Sequence, residues 1–323
     1  MALQFSCAFA TADQTHEHAR IAEQLGFSRA WFYDSPALYP DVWVQLCRAA
    51  ERTQRIVLGP GVLVPSLRHP MTNAEAIATL VGIAGEERVV VGIGSGFTGR
   101  MTLGQRPLLW TYVAAYIRVL RALLLGEDAT WEGGVLRMLQ PAGYGAPRPI
   151  HVPFVIGAGG PKGMAVAREL GDGVFGTPVV TREFAINVAL VMGTVLDSGE
   201  LPDAPRVLAA AGHGAAVSMH YALEHGGLSR LPNGAAWAAA YEDVPQAERH
   251  LALHDKHLIS VNDRDRAFVD GALLARMQLA LTDQGWRERL AALQAQGVTE
   301  IAYQPAGADI PRELEAFMRA VTA

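Results

Sequence analysis

The stretch of this chain best suited to hold an anion is Gly157-Ala158-Gly159-Gly160-Pro161-Lys162-Gly163, which follows a short apolar run and precedes a helical pattern. Consecutive glycines at a helix N-terminus leave backbone N–H groups uncovered. The helix dipole favours negative charge there, and Lys162 adds a cation. A phosphate is the natural guest, and a purely structural turn is the alternative. The run is not a P-loop, because G-x-x-x-x-G-K-[ST] is absent. Nor is it a dinucleotide fingerprint, because no acidic residue follows at the required spacing. Two more glycine loops close apolar runs: Gly59-Pro60-Gly61 after Ile56-Val57-Leu58, and Gly94-Ser95-Gly96 after Val89-Val90-Val91. Glycine just past a strand's carboxyl end lets backbone approach a ligand with no Cβ in the way, and it equally serves a plain turn.

Acid–base candidates are fewer. Asp34, in Asp34-Ser35-Pro36, reads either as a proton-handling carboxylate or as a cap before the proline. His250, His254 and His257 are spaced so that a helix would stack them on one face. Zinc could use that spacing, but no nearby carboxylate completes a motif. A solvated or subunit-facing stripe is the plainer reading, and no metal is assigned. GIGSGF has its serine one place off the G-x-S-x-G pattern of hydrolases. Cys7 and Cys47 form no C-x-x-C, which argues against a disulfide framework or a cysteine zinc site.

Such loops need a scaffold that delivers them to one place. Leu3 to Phe9 reads as strand one, and Asp13 caps a helix that Gly26 ends after Leu25. Ser28 to Tyr33 is strand two, a helix spans about 41–53, and strand three starts at Ile56. Thr72 and Glu75 form a T-x-x-E capping box, so the next helix begins near Thr72 and stops at Gly85. Strand four starts near Arg88. Pro107 opens a long helix, and Thr130 to Met138 forms a hairpin around Gly133-Gly134. Val152 to Ile156 is strand five and Val174-Phe175 strand six. A helix over about 182–196 then leads to strand seven, Arg206 to Ala211. Val298 to Tyr303 is strand eight, before a last helix from about Pro311. Eight strands alternating with helices predict a closed (β/α)₈ TIM barrel, whose ligands gather at the strand carboxyl ends.

The barrel is expected as a single domain over 1–323, with a mostly helical insertion at about 212–296 between strands seven and eight. Leu228, Leu231, Trp237 and Tyr241 in that insertion predict a substrate pocket and a subunit interface, hence a homodimer; alternatively they cover the barrel's own helices. The chain has 323 residues, 50% hydrophobic and 18% charged, which suits a well-buried enzyme. A formal charge of −5 and a pI near 6.1 give no basic field for nucleic acid or an anionic membrane. MALQFSCAFA does not read as a signal peptide, and no run reaches the roughly 20 apolar residues of a membrane span. The expected compartment is the cytoplasm.

GPGVLVPSLRHP, a helix carrying A-I-A-T-L, VVVGIGSG and GAGGPKGMAVARELGDGVF resemble, in this order and spacing, the bacterial luciferase-like superfamily. Within it they are most similar to coenzyme F420 (deazaflavin)-dependent enzymes of the methylenetetrahydromethanopterin reductase type. The resemblance runs from about Leu3 to Gly176 and returns in GVTEIAYQPAG at 297–307. It implies a barrel with a flavin-like ring over its mouth. A non-prolyl cis peptide at Gly61-Val62 would back the ring, and the cofactor phosphate would sit at Gly157, Ala158, Gly159, Gly160, Pro161 and Lys162. Gly94, Ser95, Gly96, Gly176 and Thr177 complete the cofactor-binding positions. Asp34 matches an acidic position near the reactive ring edge and is the candidate catalytic residue.

Two departures bear on the chemistry. Deazaflavin-dependent sugar-phosphate and alcohol dehydrogenases carry a histidine where this chain has Ser35 and, as the reductases tend to, an acid where it has Phe97. Neither a hydroxymethyl nor a phenyl group replaces an imidazole or a carboxylate in acid–base work. The resemblance therefore implies a coenzyme F420-dependent oxidoreductase acting on a small organic substrate, a reductase rather than an alcohol dehydrogenase. An FMN-dependent monooxygenase, a nicotinamide-linked flavin reductase and a non-catalytic flavin-binding protein are the alternatives. Arg68, Arg100, Arg106 and Lys162 are the cations placed to meet deazaflavin's acidic tail.

Overall fold

The computed structural model describes residues 2–176 and 181–322. Its main sheet has eight strands: β1 (Gln4–Phe9), β2 (Arg29–Phe32), β3 (Val57–Pro60), β4 (Val91–Gly94), β5 (Phe154–Gly157), β6 (Gly173–Gly176), β7 (Ile186–Met192) and β8 (Glu300–Gln304). Neighbours run β3-β2-β1-β8-β7-β6-β5-β4. Parallel bridges Leu58–Val89 and Leu63–Ile93 then join the two outer strands. The Val90 N–H donates to the Leu58 carbonyl at 3.1 Å and the Leu63 N–H to that of Gly92 at 2.8 Å, so the sheet closes into the expected (β/α)₈ barrel. Close approach at this seam requires glycine. A Cβ on Gly59 would lie 2.0 Å from the Val90 carbonyl oxygen, and one on Gly92 would lie 2.4 Å from that of Pro60.

The helices that follow the first five strands form for local reasons. In Val42–Arg52 the Asp41 side chain accepts the N–H groups of Trp43 and Val44, and Trp43, Leu46, Ala49 and Ala50 face the core. Trp110–Leu125 buries Val113, Tyr116, Ile117, Leu120 and Leu124 at helical spacing, and Gly126, with φ of 83°, ends it. Three starts differ from expectation. Pro70–Ala84 begins two residues before the T-x-x-E box, because His69 is the cap and Pro70 takes the first helical position; Glu75 instead accepts from Thr79. Thr15–Leu25 has no cap from Asp13. The long helix opens at Trp110, three residues after Pro107. The hairpin is present as Ala129–Trp131 paired with Gly134–Leu136.

Strand seven also differs. Ile186–Met192, expected to be helical, is β7, and the Ala-rich segment read as strand seven lies in the helix Pro205–Glu224. A strand covered on both faces is a continuous apolar run with no helical period, whereas alanine is the strongest helix former. The insertion therefore begins just after Met192, and its described elements are mostly helical.

The chain divides into two compact units: 1–101, 106–190 and 294–302 form the first, and 102–105, 191–293 and 303–323 the second. In the second, Val207, Ala211, Ala215, Met219, Trp237 and Tyr241 belong to one buried cluster, with Leu228 and Leu231 packed against it. These last four side chains build the core of their own unit and are not an exposed interface. Gly212 and Gly214, at the start of the expected insertion, sit within Pro205–Glu224. A Cβ there would meet the side chain of Val261 at 2.6 Å and that of Leu279 at 3.2 Å.

Candidate functional site

Because the barrel strands are parallel, the carboxyl ends of β2 to β6 bring Asp34, Gly61-Val62, Gly94 to Gly96, Gly157 to Lys162 and Gly176 to one end of the first unit. Gly94 and Gly157 are in register. Val62 packs at both: a Cβ on Gly94 would lie 3.0 Å from a Val62 methyl, and one on Gly157 would lie 3.2 Å away. The Gly61–Val62 peptide is cis. Beneath it Trp31 is fully buried, 2.9 Å from where a Cβ on Gly61 would be. The Trp31 Nε1–H donates to Glu300 at 3.0 Å, and its ring meets Phe175 edge-on at 5.0 Å. Glu300 also pairs with Arg29, so this carboxylate inside the barrel is balanced. The sequence reading picked out none of Trp31, Glu300 or Arg29.

Gly96 adopts φ of +80°, and a Cβ on it would lie 2.4 Å from Val64, so both conformation and space require glycine. The Ser95 carbonyl accepts the Leu108 N–H at 2.8 Å. Near Gly176 the closest atom to a built Cβ is the Ala158 carbonyl oxygen at 3.9 Å. Thr177 lies outside the described residues.

The glycine loop after β5 opens the helix Pro161–Leu170. Gly160 is its N-cap, no side chain caps it, and Pro161 takes the first turn. Among the described residues a Cβ on Gly159 or Gly160 would meet nothing within 4 Å, and both residues and Lys162 are exposed. Gly163 faces the other way, with the Trp110 ring 2.5 Å from a built Cβ. The first-turn N–H groups thus have no side-chain cap among the described residues, beside an exposed lysine, in the geometry that binds anions.

Asp34 is the buried polar centre of this end. Its side chain is 1% exposed, and both carboxylate oxygens accept from Arg68 Nη1, at 2.8 and 2.9 Å. The Val64 N–H approaches Oδ2 at 3.3 Å. Burial pushes the Asp34 carboxyl above the ordinary carboxylate range, against the pull of Arg68. Burial also works against the Arg68 cation, but Asp34 and Asp41 outweigh it and hold the guanidinium above its usual value. Arg68, read as a cation for an acidic tail, is spent on these two carboxylates, and its side chain is 14% exposed. Arg100 donates to the Arg106 carbonyl and to Ser66, while Arg106 and Lys162 stay exposed. Ser35 is buried beside Asp34, and Phe97 begins the short helix Phe97–Met101.

The histidine stripe is not a helical face. The helix Arg249–Leu253 ends before His254, and His254 and His257 are buried, not solvated. Their rings lie 5.0 Å apart and within 6.0 Å of His220, in the second unit. His220 Nε2 is 2.9 Å from Asp265, which also accepts from Trp237 and Tyr241. Among the described residues no group of three or more His, Cys, Asp or Glu is arranged to hold a metal ion.

Two surface clefts, of 340 and 480 Å³, lie elsewhere. Their linings include Val152 to Phe154, Asp172 and Ile186 in one, and Leu3 and Val298 in the other, where strands begin. Neither contains a glycine loop from a strand's carboxyl end, so chemistry and not cleft size marks the candidate site.

A family profile described as luciferase-like monooxygenase matches residues 6–300. A 5,10-methylenetetrahydromethanopterin reductase from Archaeoglobus fulgidus is 30% identical over 191 residues, 58% of this chain and 56% of that protein. An F420-dependent glucose-6-phosphate dehydrogenase from Microbacterium testaceum is 30% identical over 171 residues, 49% of this chain and 50% of that one. The chain thus spans little more than half the length of the curated relatives it matches. Among solved structures, the coenzyme F420-dependent tetrahydromethanopterin reductase from Methanopyrus kandleri superposes with a TM-score of 0.66 at 20% identity. That match covers 100% of this chain and 99% of that one, a likeness of fold.

Proposed function

The chain belongs to the luciferase-like monooxygenase family, and from that premise we propose that it is a coenzyme F420-dependent oxidoreductase. It passes hydride between the deazaflavin and a small organic substrate, as a reductase rather than an alcohol dehydrogenase. The observation that carries this reading is the uncapped, glycine-lined N-terminus of Pro161–Leu170, at the same end of the barrel as Gly61-Val62 and Asp34. The relatives named above support F420 over FMN. Gly159, Gly160 and Lys162 would hold the cofactor phosphate. Gly61, Val62, Gly94, Ser95 and Gly96 would lie against the ring, with Gly157, Ala158, Pro161, Gly176 and Thr177 around them. When bound, the cofactor supplies the hydride. The chain's own residues orient it, and the Asp34 carboxyl is the group that would take up and give back a proton beside the reacting centre. Ser35 and Phe97 offer no base for a hydroxyl proton, which is why reduction is favoured. No helix among the described residues is long and apolar enough to cross a membrane. We place the enzyme in the cytoplasm.

The test is to titrate the protein with F420 and FMN side by side. F420 is expected to bind tighter by about tenfold or more, or ~1.4 kcal/mol. Anaerobically, reduced F420 should be reoxidised by an unsaturated acceptor, with no oxidation of secondary alcohols or sugar phosphates. Preferential FMN binding with stoichiometric oxygen consumption would replace this reading by an FMN-dependent monooxygenase.

A further inference from the structure

Asp41, at the exposed start of Val42–Arg52, divides its carboxylate between two tasks. Oδ1 accepts the N–H of Trp43 at 2.9 Å and of Val44 at 3.1 Å, while Oδ2 accepts from Arg68 Nη2 at 2.8 Å. The other arm of the same guanidinium holds Asp34. The Arg68 backbone is fixed in turn. Its carbonyl accepts from the Tyr116 hydroxyl at 2.8 Å, Tyr116 accepts from Asn73 at 2.8 Å, and Asn73 accepts from the Trp43 indole at 2.9 Å. Two carboxylates therefore share one cation whose position is set from behind. One carboxylate is 1% exposed and the other 47%.

We propose that Asp41 is a positioning residue for Asp34: by taking half of Arg68 it sets how readily the buried carboxylate takes up and gives back a proton. This rests on the reading of Asp34 as a group beside the reacting centre. The groups facing Asp34 are Arg68 on its own loop, Asp41 at the helix start, the Val64 N–H and the Tyr116 phenol. One cation thus faces two anions. A buried carboxylate holding an arginine to itself would stay ionised, and one with no cation would stay neutral. Sharing places Asp34 between these limits. Burial raises its carboxyl, Arg68 lowers it, and Asp41 adds a smaller push upward.

The division of oxygens gives a clean test. Asp41→Asn keeps Oδ1 for the helix cap, where asparagine serves as well as aspartate. It replaces Oδ2 by an amide nitrogen, which cannot accept from Arg68. Asp34 titration is read in the apoprotein from its carboxylic C=O infrared band, identified by its loss in Asp34→Asn. The band should titrate at lower pH than in the parent for Asp41→Asn and at higher pH for Arg68→Met. Arg68→Lys, which keeps the charge, should fall between Arg68→Met and the parent and serves if the methionine variant does not fold. Shifts of opposite sign are not what general loosening of the loop would give. An Asp34 band at the parent pH in Asp41→Asn, or shifts of the same sign in the Asp41 and Arg68 variants, would overturn the proposal. With F420 bound, the pH profile of turnover should move with the band. A band that moves while the profile stays put removes Asp34 from the reaction, and Asp41's role with it. Failure of F420 to bind, with the band moving as expected, overturns the cofactor reading and leaves the charge coupling in place.

Discussion

Gly159→Asp is expected to fold like the parent protein and to lose about 100-fold in F420 affinity, ~2.8 kcal/mol. A Cβ at this position meets nothing among the described residues within 4 Å, and the residue is exposed, so these residues give no reason to reject a side chain. The carboxylate would reach the N–H groups that the helix Pro161–Leu170 leaves uncapped. There it would act as a cap, worth about 0.3–1 kcal/mol of added stability. Stability and affinity should therefore move in opposite directions. The same carboxylate occupies the place of the phosphate and repels it, and charge-assisted contacts are among the strongest a ligand can lose. Gly159→Ala, which fills space without charge, should bind nearly as the parent does. The measurements are a cofactor titration and a denaturation curve on each variant. A folded Gly159→Asp protein with parental affinity would take the phosphate away from this loop.

Mild acid should loosen the second unit, and buried histidines, His213 among them, should carry the effect. The His213 side chain is 0% exposed, and neither ring nitrogen has a hydrogen-bond partner among the described residues. Burial pushes its pKa from 6.5 down to about 4. Between those values the unfolded chain binds a proton that the folded chain does not, so stability falls as pH drops through the window. The gap corresponds to about 3 kcal/mol for His213 alone. Burial also lowers His254 and His257, which adds in the same direction. Glu200, Asp243 and Asp263 are held low by hydrogen bonds from arginines, so their contribution is lost only in stronger acid. Asp34, whose carboxyl is raised, acts in the opposite sense, but it belongs to the first unit. Hydrogen exchange of the helix Pro205–Glu224 at pH 7 and pH 5, corrected for intrinsic rates, separates the two. His213→Leu should flatten the dependence and raise stability at pH 7, because it removes a buried polar group without a partner. Equal protection of the parent helix at both pH values would show that the buried ring is not the titrating group.

The parts of this structure legible in the sequence were those with a local signature. Gly61, Gly94 and Gly157 each follow a short apolar run, so their place at strand ends could be read directly. The uncapped helix after Gly160 followed from the same logic. What escaped had competing local signals or no local signal. Ile186 to Met192 is apolar except for the buried Asn187 and carries no helical period, so length and neighbours misled. Pro205–Glu224 contains Gly212 and Gly214, which suggest a turn until Val261 and Leu279 are seen pressed against them. His250, His254 and His257 keep helical spacing, but the helix stops at Leu253 and the chain folds His257 inward. The pairing of Asp34 with Arg68 could not be read at all. Only the closing of β2 and β3 side by side brings these two residues together.

Val62 has an evolutionary consequence. One valine packs at two glycines that belong to different strands, leaving 3.0 and 3.2 Å where their first side-chain carbons would be. A side chain gained at either glycine presses on Val62 and asks it to give by a few tenths of an ångström. A methyl gained at Gly94 or Gly157 must be matched by a methyl lost at position 62. The mouth of this barrel is therefore expected to diverge by compensated exchange at positions 62, 94 and 157.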